Sequence, residues 1–74
     1  MKAEQDGSGK TYFDVANIRV TCVEKTWSGQ PGLRLQAYKE NGQLNPGAEI
    51  PIPDKSVAFD LVSAIMEAVK ANGL

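Results

Sequence analysis

Two stretches of this chain, 18–25 and 33–39, alternate apolar and polar side chains. No other feature constrains the fold as much. Successive side chains of a strand point to opposite faces, so a period of two describes a sheet with one apolar face. In the first stretch Ile18, Val20 and Cys22 share one side, while Arg19, Thr21, Val23 and Lys25 share the other. In the second, Leu33, Leu35 and Ala37 oppose Arg34, Gln36 and Tyr38. Between them, Ser28-Gly29-Gln30-Pro31-Gly32 reads as a hairpin loop. The apolar face needs a cover, because an isolated hairpin is at best marginal in water.

The flanking segments extend the pattern. Residues 12–16 make a short strand with Phe13 and Val15 on one side, and Asn17 is a bend. Asn41-Gly42 is a strong turn signal, and Leu44-Asn45-Pro46-Gly47 a second. Residues 48–52 make a short fourth strand whose Pro51, with Pro53 beyond it, places it at an edge or a strand end. A helix is expected over 57–72, with Ser56 as its N-cap, Asp60 and Lys70 placed to suit its dipole, and Gly73 just past its end. Its apolar stripe is wider than one contact requires. Leu61, Ile65 and Ala68 suit one partner, and Phe59, Val62, Met66 and Val69 suit another. Residues 1–10 are small and polar and read as a flexible N-terminal tail, and 11–74 as a single domain. The expected architecture is α+β: a four-stranded antiparallel β-meander followed by one C-terminal α-helix.

Size and composition then decide what can hold it together. The chain has 74 residues, one Cys and no His. One small core rarely supplies more than ~3–5 kcal/mol, and such scaffolds usually need a staple. A single Cys closes no internal disulfide, and without His the histidine-containing zinc sites and the catalytic triads are excluded. Oligomerisation is the remaining staple, so a homodimer is expected, with Phe59, Val62, Met66 and Val69 as its interface. No apolar run approaches the roughly 18 residues of a membrane span, and the first residues do not read as a signal peptide. The expectation is a soluble, non-enzymatic protein with no metal and no cofactor.

The stretch from Leu33 to Tyr38, then Asn41-Gly42-Gln43-Leu44-Asn45-Pro46-Gly47, then Ile50-Pro51-Ile52 and a helix, resembles the C-terminal domain of the positive cofactor 4 family of transcriptional coactivators. The upstream strand and Trp27, before a Gly-containing hairpin, fit the same pattern. The resemblance implies a homodimer of curved sheets joined largely through helices. It also implies binding of single-stranded DNA by aromatic stacking and basic side chains, with no reaction catalysed. Carried over residue by residue, it makes Trp27 and Tyr38 candidate stacking residues and Arg19, Lys25, Arg34 and Lys39 candidate phosphate contacts. Gln36 and Asn45 fall at further contact positions. The chain departs from the pattern at three places: Gln36, Asn45 and Glu49 stand where basic residues are usual.

Net charge is −1, which by itself argues against nucleic acid. Resolved by position, residues 19–39 carry four basic side chains against the single acidic Glu24, a local +3. Phosphate responds to that local potential over a Debye length of about 8–10 Å. Each candidate also has a plain alternative: Trp27 and Tyr38 as packing residues, the basic side chains as a solvated face, Cys22 as core. The expected ligand is single-stranded DNA or RNA, with transcription or replication proteins as further partners. The competing expectation is a dimeric protein-interaction module. The expected compartment is the cytoplasm and nucleoid in a bacterium or phage, or a nucleus in a eukaryote.

Overall fold

The computed structural model describes all 74 residues as an α+β fold: one antiparallel sheet and one C-terminal helix. The strands are β1 (Glu4–Gln5), β2 (Thr11–Val15), β3 (Ile18–Val23), β4 (Gly32–Ala37) and β5 (Glu49–Pro51), and the helix is α1 (Lys55–Ala71). The order across the sheet is β1-β2-β3-β4-β5, so every connection is a meander.

The sheet has five strands where four were expected. The extra one comes from residues 1–10, where Glu4 pairs with Tyr12 and Gln5 with Thr11. The turn that permits this is built on Asp6. Its carboxylate accepts from the amides of Ser8 and Lys10, both at 2.9 Å, and Gly9 supplies a positive φ of 81°. The Lys10 amide is the largest influence on the Asp6 carboxyl, holding it below the usual carboxylate range. A small polar run therefore encodes a hairpin through one capped turn.

Two strands end earlier than expected. β3 stops at Val23, because the Thr26 amide turns to bond the Gln30 carbonyl at 2.8 Å and closes the loop. β4 stops at Ala37; Tyr38 makes only a single bridge, to Leu44. Lys25 and Lys39 consequently lie outside the strands.

The register assigns every sheet residue to a face, since directly opposed residues project to the same side. One row crossing all five strands is Glu4–Tyr12–Thr21–Arg34–Glu49, and beside it runs Asp14–Arg19–Gln36. On the other face the rows are Phe13–Val20–Leu35, Val15–Ile18–Ala37 and Cys22–Leu33–Ile50. The alternation expected from sequence is thus realised as one polar and one apolar face.

The apolar face is only partly covered: Phe13, Val20, Leu33, Leu35 and Ile50 are half-buried, while Val15, Ile18, Ala37 and Cys22 are exposed. All substantial packing between elements runs strand to strand, and α1 contains no buried residue. Leu61 is half-buried, but Ile65 and Ala68, expected to help cover a neighbouring surface, are exposed. Cys22, expected as core, is exposed on the apolar face. The buried residues are instead Thr21, Val23 and Thr26, on the polar face and its adjoining loop. A chain of this length packs to a radius of gyration of about 11.3 Å; here it is 13.3 Å. Its accessible surface is 5558 Å², against about 4,450 Å² for a compact monomer of the same mass.

The helix is well terminated. Its N-cap is Asp54, not Ser56: the Asp54 carboxylate accepts from the Val57 amide at 3.0 Å, two residues upstream of the expected start. Asp60 then falls beyond the first turn, which holds no acidic side chain, and the Asp54 carboxylate takes the place at the positive end of the dipole. At the other end the Leu74 amide bonds the Val69 carbonyl and the Gly73 amide bonds that of Lys70, a Schellman motif with Gly73 at φ 81°.

Between β4 and β5 two glycines have different tasks. Gly42 takes φ 84° in open space, whereas Gly47 lies so close to the Leu35 carbonyl that a Cβ would collide with backbone. Gly47→Ala is therefore expected to cost about 1–3 kcal/mol as an overpacking defect. Gly42→Ala bears only the left-handed backbone penalty of about 1–2 kcal/mol. Thermal melts of both variants at one protein concentration check the order, with the larger loss at Gly47. Equal melting temperatures for Gly47→Ala and the parent would contradict the close approach.

Candidate functional site

The polar face and the β3–β4 loop hold most of the chemistry-bearing side chains. The loop is rigidly built. The Thr26 hydroxyl donates to the Gln30 carbonyl at 2.7 Å and lies 3.1 Å from the Ser28 hydroxyl, and the Gly29 amide returns to the Thr26 carbonyl at 2.9 Å. Gly29 provides the positive φ, 82°, that the turn needs. On this scaffold Trp27 is 77 % exposed. Its indole N–H donates to the Glu49 carbonyl at 3.1 Å, which ties the loop to the edge strand while leaving the ring in solvent. A tryptophan held by its only donor yet open to water is a ready stacking surface.

Arg19 and Tyr38 do not stand free. The Arg19 guanidinium lies 3.7 Å from the centroid of the Tyr12 ring and 5.4 Å from that of Tyr38. It donates to Asp14 at 3.2 Å and to the Tyr38 hydroxyl, and that hydroxyl donates to the second Asp14 oxygen at 3.0 Å. The cluster closes on itself: one cation, one carboxylate and two rings. The Arg19 side chain is 19 % exposed. Its desolvation disfavours the charge, but the bonds to Asp14 and Tyr38 outweigh this and push its pKa up. Desolvation, and then the bond to Asp14, raise the Tyr38 phenol above the usual tyrosine range.

Arg34 is held differently. It meets Glu49, directly opposite on β5, through one nitrogen and one carboxylate oxygen at 3.0 Å, with the two side chains 28 % and 29 % exposed. Gln36 donates its amide to the Asn45 carbonyl at 3.1 Å, and the Asn45 amide bonds the Ala37 carbonyl at 2.8 Å. Gln36 and Asn45 thus brace the second turn against β4. Lys25 and Lys39 are exposed and make no ion pair.

Of the eight candidate contact residues, the structure brings Arg19, Arg34, Gln36 and Tyr38 onto the polar side of the sheet, with Trp27 at its rim tied to Glu49. Lys25 and Lys39 lie in the loops at either end of the β3–β4 ladder. The expected local +3 is offset, because Asp14 and Glu49 from the flanking strands register opposite Arg19 and Arg34. Tyr12 was missed by sequence reasoning although its ring, with its centroid 3.7 Å from the guanidinium, is the one Arg19 stacks on. The signal was available in the two-residue turn Ala16-Asn17, which fixes Asp14 opposite Arg19 and Tyr12 opposite Thr21.

On α1, Phe59, Val62 and Met66 are 70 %, 58 % and 52 % exposed, and Val69 is half-buried. No helix is long and apolar enough to cross a membrane. A shallow hollow of about 270 Å³, lined by Ser8, Gly9, Lys10, Thr11, Cys22 and Glu24, lies between the first hairpin turn and β3. No protein-family model, curated protein or solved structure matches the chain.

The closed cluster gives a titration test. A group whose folded pKa is raised keeps its proton longer in the native state. Its contribution is intact below the unfolded tyrosine pKa and is lost as pH rises through the folded value. Tyr38 ring resonances are expected to titrate above the usual tyrosine range, and Asp14→Asn to bring them down. A Tyr38 titration unmoved by Asp14→Asn would break the assigned network.

Proposed function

We propose that the protein is a homodimeric, sequence-tolerant binder of single-stranded nucleic acid, acting as an accessory to transcription or replication. The observation that carries this reading is Trp27, 77 % exposed on a braced loop and tied to Glu49, the ion-pair partner of Arg34. Base stacking on such a ring is worth about 1–3 kcal/mol and accepts any base. Lys25 and Lys39, which have no intramolecular counter-ion, offer phosphate contacts at the two ends of the β3–β4 ladder. Binding should weaken between about 50 and about 200 mM salt as counter-ions are released. Fluorescence anisotropy of a labelled oligo-dT checks both points, and Trp27→Ala should cost about five- to 160-fold in affinity. Absence of binding at the lower salt with micromolar protein would sink this reading.

A second reading rests on its own observation. Both arginines of the polar face already have carboxylate partners, which suits a surface that docks on a protein. Nuclease-resistant capture of one defined partner, together with no oligonucleotide binding, would favour it.

The homodimer is common to both. Against a compact monomer the chain exposes an excess of about 1,100 Å², or about 2,200 Å² between two copies, within the range of about 2,000–5,000 Å² of obligate homodimers. The exposed Val15 and Ile18 on the apolar face of the sheet, and Phe59, Val62 and Met66 of α1, are the surfaces that need cover. Sedimentation is expected to give a dimer at micromolar concentration, with Met66→Glu shifting it to monomer or unfolded chain. A monomeric, stably folded parent would refute the dimer.

A further inference from the structure

We infer that Glu49 is a built-in competitor for nucleic-acid phosphate, occupying the seat on Arg34 that a backbone phosphate must take. The inference rests on the nucleic-acid reading and concerns the exchange that binding requires. Glu49 is the one residue that touches both candidate ligand groups. Its carboxylate holds Arg34 at 3.0 Å, and its main-chain carbonyl accepts the Trp27 indole N–H at 3.1 Å. A nucleotide whose base lies on Trp27 therefore brings its phosphate towards Arg34 and meets the Glu49 carboxylate there.

The two arginines of the face differ in how readily they can be freed. Arg19 is bonded to Asp14 and Tyr38 and stacked on Tyr12. Releasing it breaks three contacts. Arg34 gives Glu49 a single hydrogen bond, although guanidinium carries five N–H donors and prefers a two-point partner. Both side chains of that pair keep more than a quarter of their surface in solvent. A single-point ion pair that is still partly open to solvent is screened and weaker than a two-point one, while a phosphate can accept the two-pronged bond that Glu49 leaves unmade. Exchange thus falls at Arg34, and Arg19 stays as the brace that positions Tyr38.

The test uses the full chain and a labelled oligo-dT across a range of salt concentrations, with Glu49→Gln, Arg34→Ala and the double variant. Glu49→Gln keeps the side-chain shape and removes the competing charge. It is expected to bind about fivefold tighter or more, with a salt dependence steeper by about 0.7 in the log–log slope, the increment for one added phosphate contact on a single strand. In Arg34→Ala/Glu49→Gln that gain should vanish relative to Arg34→Ala alone, since the coupling runs through Arg34. A gain that persists in the double variant would mark a general charge effect and overturn the inference. So would a Glu49→Gln protein that binds no tighter than a parent that does bind; that result leaves the nucleic-acid reading standing. If parent and Glu49→Gln are both folded dimers and neither binds, the nucleic-acid reading falls, and the exchange at Arg34 with it.

Discussion

The sheet has an apolar face that its own chain covers only in part, leaving Val15 and Ile18 exposed, and the rest of the structure turns on that. Alternation along β3 and β4 makes such a face unavoidable, because every second side chain goes to one side. In a larger protein a helix would return across it. Here α1 follows the short edge strand, carries no buried residue, and leaves Phe59 and Met66 in solvent. Apolar surface exposed to water costs about 25 cal/mol per Å², so both surfaces favour burial. The second copy proposed above would answer for both at once, since it carries the same two surfaces in the same number.

That demand leaves the other face of the sheet open to evolve a site. Its residues are positioned by register rather than by a core. Thr21 is buried because Tyr12 and Arg34 flank it in one row; Arg19 is fixed because Asp14 stands opposite and Tyr12 lies diagonally across. Ionic and stacking contacts here take over the ordering that apolar packing supplies elsewhere. Each such contact is modest alone, yet a network in which both Asp14 oxygens, the Tyr38 hydroxyl and the guanidinium are all engaged holds its members in one arrangement.

Much of this was legible in the chain. The two faces of β3 and β4, the turn at Asn41-Gly42 and the helix end at Gly73 all follow from local rules that act over a few residues. The elements that were misplaced depend on longer-range competition. The N-terminal hairpin hangs on one carboxylate, Asp6, capturing two amides, a signal lost in a run that otherwise reads as tail. Asp54 displaced Ser56 as N-cap, although both residue types cap well, because the chain turns into the helix directly after Pro53. The charge balance was misjudged for a different reason. A window from 19 to 39 counts neighbours in sequence, whereas phosphate would meet neighbours in the sheet. Asp14 and Glu49 lie outside the window and directly opposite the arginines.

The separation of the two faces also orders the functional possibilities. Burial of the apolar face by a second copy would leave the polar face, Trp27 and the loop lysines open. Dimerisation and ligand binding then draw on different residues, and loss of one need not entail loss of the other. The arginines of the polar face already carry carboxylate partners, Asp14 on Arg19 and Glu49 on Arg34. On the nucleic-acid reading proposed above, a phosphate would gain at Arg34 only the difference between its own bond and that of Glu49, and affinity would then rest more on Trp27 than on Arg34. The register of two strands sets that balance, because it puts Glu49 directly opposite Arg34.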